Sequence, residues 1–157
     1  MVAIAVIPYP FLVISIELAN IFKAVRTPSV HFCPLNIFKR DKKIPYYLFY
    51  SHDFFTHYIA VRESEIYRTK SVVFLEKYGE KITTLYTPED LGYLTDMTTS
   101  PFMIRIKKLV LDSGKIKHDI FRLPKCGPAK YIVSEKIVEL VRQKGLRGIN
   151  FTAVESI

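Results

Sequence analysis

The chain has no tryptophan, only two cysteines and only six glycines in 157 residues. Each scarcity excludes something. Cys33 and Cys126 cannot build a disulfide framework, and they fit a reducing compartment. Neither has a second ligand at close spacing, so no metal site is expected. Gly145 and Gly148 follow an expected helix rather than precede one, which removes the dinucleotide-binding fingerprint. No nucleophile elbow and no His-Glu-x-x-His pair occurs. No cofactor is therefore expected. Long apolar runs are also missing. The opening Met1-Val-Ala-Ile-Ala-Val-Ile lacks a basic leader, is broken by Pro8 and Pro10, and soon meets Glu17. A buried strand suits it better than a signal peptide or a membrane span. Acids are outnumbered, 15 Asp and Glu against 23 Lys and Arg, leaving a net charge of +8. That balance permits nucleic acid, anionic lipid or an acidic protein as partner. The basic residues are scattered, so a solvated lysine-rich surface explains them equally well.

What is present is a globular composition, 49% apolar and 24% charged, in a chain of one-domain length. Its clearest stretch runs from Lys130 to Phe151. Tyr131, Ile132 and Val133 suit a strand. Ser134 suits a helix N-cap. Ile137, Val138, Leu140 and Val141 then follow the spacing of one helical face. Glu135 in the first turn and Arg142 and Lys144 in the last match the helix dipole. Gly145 suits the left-handed stop, and Ile149 to Phe151 reads as a returning strand. The same unit lies near the N-terminus. With Ser15 laid on Ser134 and no gap, Leu18, Ala19, Ile21 and Phe22 fall on Ile137, Val138, Leu140 and Val141. The expectation is a pair of strand–helix–strand units, at 11–35 and 130–154, in a single α+β domain covering 1–157. A mixed sheet with two or three helices would hold them.

Between the repeats, the pattern predicts strands at 30–35, 44–50, 58–62 and 71–76. A polar hairpin connection is expected at 39–43, and a pairing segment at 81–85. Thr87-Pro88-Glu89-Asp90 opens a helix that Gly92 should cut short. Phe102 to Leu111 reads as the longest strand, with a bulge at Lys107-Lys108 where the inward phase slips. A short strand at 120–123 follows.

One stretch has the residue types of a site, Tyr50-Ser-His-Asp-Phe-Phe-Thr-His-Tyr58. His52, Asp53 and His57 have the chemistry of acid–base work or of metal ligation, although a third ligand would have to come from elsewhere. Phe54, Phe55 and Tyr58, with Arg62 beyond them, are the types that anchor protein interfaces. Two plainer explanations stay open: histidines that are merely polar in a loop, and rings that belong to the core. Basic clusters occur at Lys39-Arg40-Lys42-Lys43, at Arg105-Lys107-Lys108 and at Lys115-Lys117-His118. No established nucleic-acid-binding pattern accompanies them.

Three stretches carry a family resemblance. They are Phe11-Leu-Val-Ile-Ser with Val30-His-Phe-Cys-Pro-Leu and Ile44-Pro-Tyr-Tyr-Leu-Phe; Leu109-Val-Leu-Asp with Asp119-Ile-Phe-Arg-Leu; and Tyr131-Ile-Val-Ser-Glu-Lys with Gly145-Leu-Arg-Gly-Ile-Asn-Phe. In their order and spacing, over most of residues 9–154, the chain resembles the myxococcal-type immunity proteins of bacterial polymorphic toxin systems. It departs from many of them in lacking a tryptophan near the start. The resemblance implies a cytoplasmic, non-enzymatic protein that binds a cognate toxin and blocks it. On that reading His52, Asp53, Phe54, Phe55, His57, Tyr58 and Arg62 are the partner-binding candidates. Two rivals remain, a basic nucleic-acid-binding module and a small enzyme built around His52, Asp53 and His57.

Overall fold

Residues 2–6, 11–70, 79–98, 102–123 and 130–157 are described by the structure, a computed structural model. The chain is a mixed α+β protein, mostly sheet. It forms two compact units, one of residues 1–54, 117–122 and 129–153, the other of residues 55–116, 123–128 and 154–157.

The first unit contains most of both expected strand–helix–strand segments. Strand β1 (Val2–Val6) precedes them. The N-terminal copy is β2 (Phe11–Ser15), α1 (Ile16–Lys23) and β3 (Val30–Lys39), followed by β4 (Lys42–Ser51). β4 is antiparallel to both β2 and β3 and lies between them. β2 and β3 are therefore parallel, joined by a helix that crosses over one intervening strand. The C-terminal copy is β10 (Lys130–Ser134), α3 (Glu135–Gln143) and β11 (Phe151–Ser156). Its two strands flank β1, which is antiparallel to β10. The central strand thus comes from a hairpin in one copy and from the N-terminus in the other. Strand β9 (Ile120–Arg122) adds to the far side of β10.

Both helices bury the face that the spacing predicts. Leu18, Ala19, Ile21 and Phe22 are buried on α1, and Ile137, Val138 and Val141 on α3. Leu140, expected to be fully covered, is only partly buried at the edge of that face. These side chains share one core with Leu12, Ile14, Phe49, Ile120, Tyr131 and Val133. Helix α3 ends in a Schellman motif. Gly145 takes φ 61°. Its N–H donates to the Arg142 carbonyl, and the Leu146 N–H donates to the Val141 carbonyl.

The two serines sit at helix starts, but they differ in what they do. The Ser15 hydroxyl accepts the Leu18 N–H at 3.3 Å. Ser134 has extended N-cap backbone angles and makes no side-chain cap bond. Its N–H donates to the Asp119 carbonyl at 2.7 Å, and its buried hydroxyl has no hydrogen-bond partner among the described residues. Ser15→Ala should therefore cost about 1 kcal/mol, the usual value of a lost cap, and Ser134→Ala clearly less. Urea midpoints of the two variants check the order.

β4 is longer than the pattern suggests and carries Pro45 in a central strand. The register explains the tolerance. β2 reaches only as far as Tyr46, so Pro45 has β3 on one side and no partner on the other. Past that point β3 and β4 continue as a two-stranded ribbon, closed by Arg40 and Asp41.

The second unit contains β5 (Glu65–Thr69), flanked by β6 (Gly79–Lys81) and β7 (Met103–Lys108). Lys107 is the extra residue of a bulge, because Glu65 faces Lys108 while Ile66 faces Ile106. This is the slip read from the phase change. The strand then breaks at Leu109 and resumes as β8 (Val110–Leu111), which pairs in parallel with the end of β11. Val110 and Leu111 are buried, and Leu109 only partly so.

Helix α2 (Pro88–Met97) runs through Gly92 instead of stopping there. A glycine inside a helix costs about 1 kcal/mol relative to alanine. The start of the helix offsets this. The Thr87 hydroxyl accepts the Asp90 N–H, and the Asp90 carboxylate accepts the N–H groups of Tyr86 and Thr87. These bonds hold the Asp90 carboxyl below its ordinary pKa. Leu91, fully buried, anchors the middle of the helix. The strand expected at 58–62 is instead a short 3-10 turn, Thr56–Tyr58, and a single bridge between Ile59 and Leu111. The pairing segment expected at 81–85 lies earlier, at Gly79–Lys81, and pairs with β5. The strand expected at 71–76 lies outside the described residues. No helix among the described residues is long and apolar enough to cross a membrane.

Candidate functional site

β4 ends at Ser51, and the candidate stretch begins there. Ser51 is buried and held from two sides: its N–H donates to the Tyr131 hydroxyl at 3.1 Å, and its carbonyl accepts from Arg122 at 3.3 Å. This fixes the point at which the chain emerges. His52, Asp53 and Phe54 follow, all exposed. The His52 Nδ1 lies 3.0 Å from the Tyr50 hydroxyl, and its ring meets the His31 ring edge-on at 5.1 Å. The Phe54 ring covers the Arg122 guanidinium at 4.6 Å.

Arg122 is the functional-type residue that sequence reading misses. It is only 5% exposed, and its Nε has no hydrogen-bond partner among the described residues. Among those residues its guanidinium is served by one carbonyl and one ring face. A buried cation so thinly compensated is costly, and the Phe54 ring supplies part of what it has. Burial raises the neighbouring Tyr131 hydroxyl above its ordinary pKa, opposed by its bond with the Ser51 N–H and by the Arg122 charge. The signal in the sequence was a lone arginine in the apolar run Ile120-Phe-Arg-Leu123, which does not say that the side chain points inward.

The remaining candidates belong to the second unit. Phe55 and Tyr58 are core residues, 9% and 1% exposed, with their rings stacked at 5.1 Å and an interplanar angle of 18°. Their expected role as partner anchors is corrected by that burial: the 3-10 turn rotates both rings inward. His57 is exposed and packs on both of them. Arg62 is exposed, 5.5 Å from the Tyr86 ring. It helps line an open groove of about 510 Å3 with Glu63, Glu65, Lys81, Tyr86 and Lys108. Both charge signs line this groove.

His52, Asp53 and Phe54 form an exposed end of the first unit, His57 and Arg62 are exposed on the second, and Phe55 and Tyr58 are covered. Among the described residues no group of three or more His, Cys, Asp and Glu side chains could hold a metal ion. Comparison of the chain with family models, curated proteins and solved structures returns no match. The first unit's exposed end remains the best-organised candidate. Its backbone is pinned at Ser51, and its rings are ordered by one another.

Proposed function

We propose that this protein is an immunity protein, which binds a cognate secreted bacterial toxin in the cytoplasm and neutralises it by occlusion rather than by catalysis. The three sequence stretches similar to that family motivate the reading. The observation that carries it is the exposed end at His52–Phe54, where an aromatic ring stays 41% exposed above a buried arginine. Aromatic and arginine side chains at a pinned position are what a small number of contacts need in order to dominate binding.

Co-expression with the toxin encoded beside it should restore growth, and Phe54→Ala should weaken the purified complex by more than about 2 kcal/mol. Single lysine-to-alanine changes in the scattered basic clusters should matter less, because rim charges act mainly on association rate. Titration calorimetry on the variants gives the ranking. If His52→Ala or His57→Ala abolished protection while the complex survived, an enzymatic role would replace this one. Dominant effects of the basic clusters, with steep salt dependence, would favour nucleic-acid binding.

A further inference from the structure

The strand β4 is apolar on both faces. Its core side presents Tyr47 and Phe49. The opposite side presents Ile44, Tyr46, Leu48 and Tyr50. A strand with one solvated face should alternate with polar residues, whereas one apolar on both sides belongs to a sheet covered on both sides. The register carries the pattern across the sheet. Val13, Leu48 and Cys33 form one row, then Tyr46 and Leu35, then Ile44 and Ile37. Val13 is 48% exposed and Ile37 38%, and Cys33 is a free, exposed thiol.

The two ends of this face differ. At one end lie His31, Tyr50 and His52. At the other the ribbon closes with Lys39, Arg40, Lys42 and Lys43, all exposed, against a single acid, Asp41. Lys39 is directly opposite Lys42, a like-charge pair that destabilises a hairpin. Arg40 takes φ 54°, a left-handed conformation that glycine or asparagine adopts at less cost. Both unfavourable features concentrate positive charge beside exposed apolar surface, and carboxylates on a partner would relieve the charge repulsion.

We propose that the toxin docks on the outer face of the β2–β4–β3 sheet, through an apolar patch of its own rimmed by carboxylates that meet the Lys39–Lys43 ribbon. The proposal rests on the immunity reading and names the chemistry of the partner's surface. Charge argues against a second copy as the occupant, since each chain carries +8 and each ribbon the same sign. Phosphates would satisfy the ribbon but leave the aliphatic rows from Val13 to Ile37 without a complement, so a protein fits better than a nucleic acid.

The probe is the catalytically inactivated toxin domain encoded beside this protein. Ile37→Asp and Val13→Asp alter exposed strand positions, and their melting curves should show retained folding. Each should weaken the complex by about 100-fold or more. Ile37→Thr, which keeps the β-branched shape, should have a smaller effect and guards against misfolding of the aspartate variants. The double change Lys39→Glu with Lys42→Glu should slow association by about tenfold and flatten its salt dependence. In a Cys126→Ser background, Cys33 should react with a maleimide in the free protein and be shielded in the complex. If the parent binds the toxin domain but Ile37→Asp binds equally well and Cys33 stays reactive, the docking face is wrong and the immunity reading stands. If the parent does not bind the toxin domain, both fall. Shielding of Cys33 by self-association, or by RNA or DNA in a salt-sensitive manner, overturns the proposal in favour of that occupant.

Discussion

Replacing Phe49 by alanine should cost about 3–5 kcal/mol, the range for truncating a buried aromatic. Phe49 is fully buried at the centre of β4. Its ring meets those of Phe22 on α1 at 5.1 Å, Phe32 on β3 at 5.2 Å and Tyr131 on β10 at 5.3 Å. All three contacts are tilted, the arrangement in which an aromatic pair adds about 0.5–1.5 kcal/mol beyond its buried area. The partners come from both copies of the repeat, so the cavity would open where the two copies share their core. Collapse around it is resisted by α1, β3 and β10, which carry those rings. Urea unfolding of Phe49→Ala measures the loss, and a value below about 1 kcal/mol would mean that this core is not the one that holds the fold.

Asp119→Asn should remove on the order of 2 kcal/mol at neutral pH and flatten the acid limb of the stability curve. Asp119 is 4% exposed and accepts three hydrogen bonds from Arg26: the backbone N–H at 3.0 Å, Nε at 3.1 Å and Nη2 at 3.2 Å. Its own N–H donates to the Arg26 carbonyl, and its carbonyl accepts from Ser134, both at 2.7 Å. One residue thus ties the end of α1 to the start of α3. The Arg26 bonds lower the Asp119 pKa from 3.8 to about 2, against the opposing effect of burial. A depressed carboxyl contributes its full stabilisation above the unfolded-chain pKa and loses it as pH falls through the folded value. The loss should therefore fall between about pH 5 and pH 2, and Asp119→Asn should lack it. An unchanged acid limb in the variant would show that the ion pair forms equally well in the unfolded chain.

The helical parts of this fold were legible because their signals are local. Ser15, the apolar spacing of α1 and α3, and Gly145 each act within a turn or two of where they stand. The pairing order was not legible. β1 and β4 occupy equivalent central places, yet one comes from the N-terminus and the other from a hairpin, and nothing in either strand records which neighbours it will have. Ser134 stands at the helix start as the pattern predicts, but its hydroxyl makes no cap bond, and only its backbone N–H is engaged, by the Asp119 carbonyl. Gly92 was misread because a local break signal was weighed without the capping box and the buried Leu91 that carry the helix through it. In the candidate stretch, the sequence shows the residue types but not which way each side chain faces. Phe54 and Phe55 are adjacent and chemically identical, and the turn at Thr56–Tyr58 sends one outward and the other into the core.

The most direct test of the functional account is calorimetric titration of the nuclease-treated protein with the inactivated toxin domain encoded beside it, at low and at high salt. The account predicts a one-to-one complex with Kd of about 10 nM or tighter, within the range of ordinary inhibitor interfaces, which persists at high salt. No binding to the toxin domain, with salt-sensitive binding to DNA or RNA in its place, would contradict it.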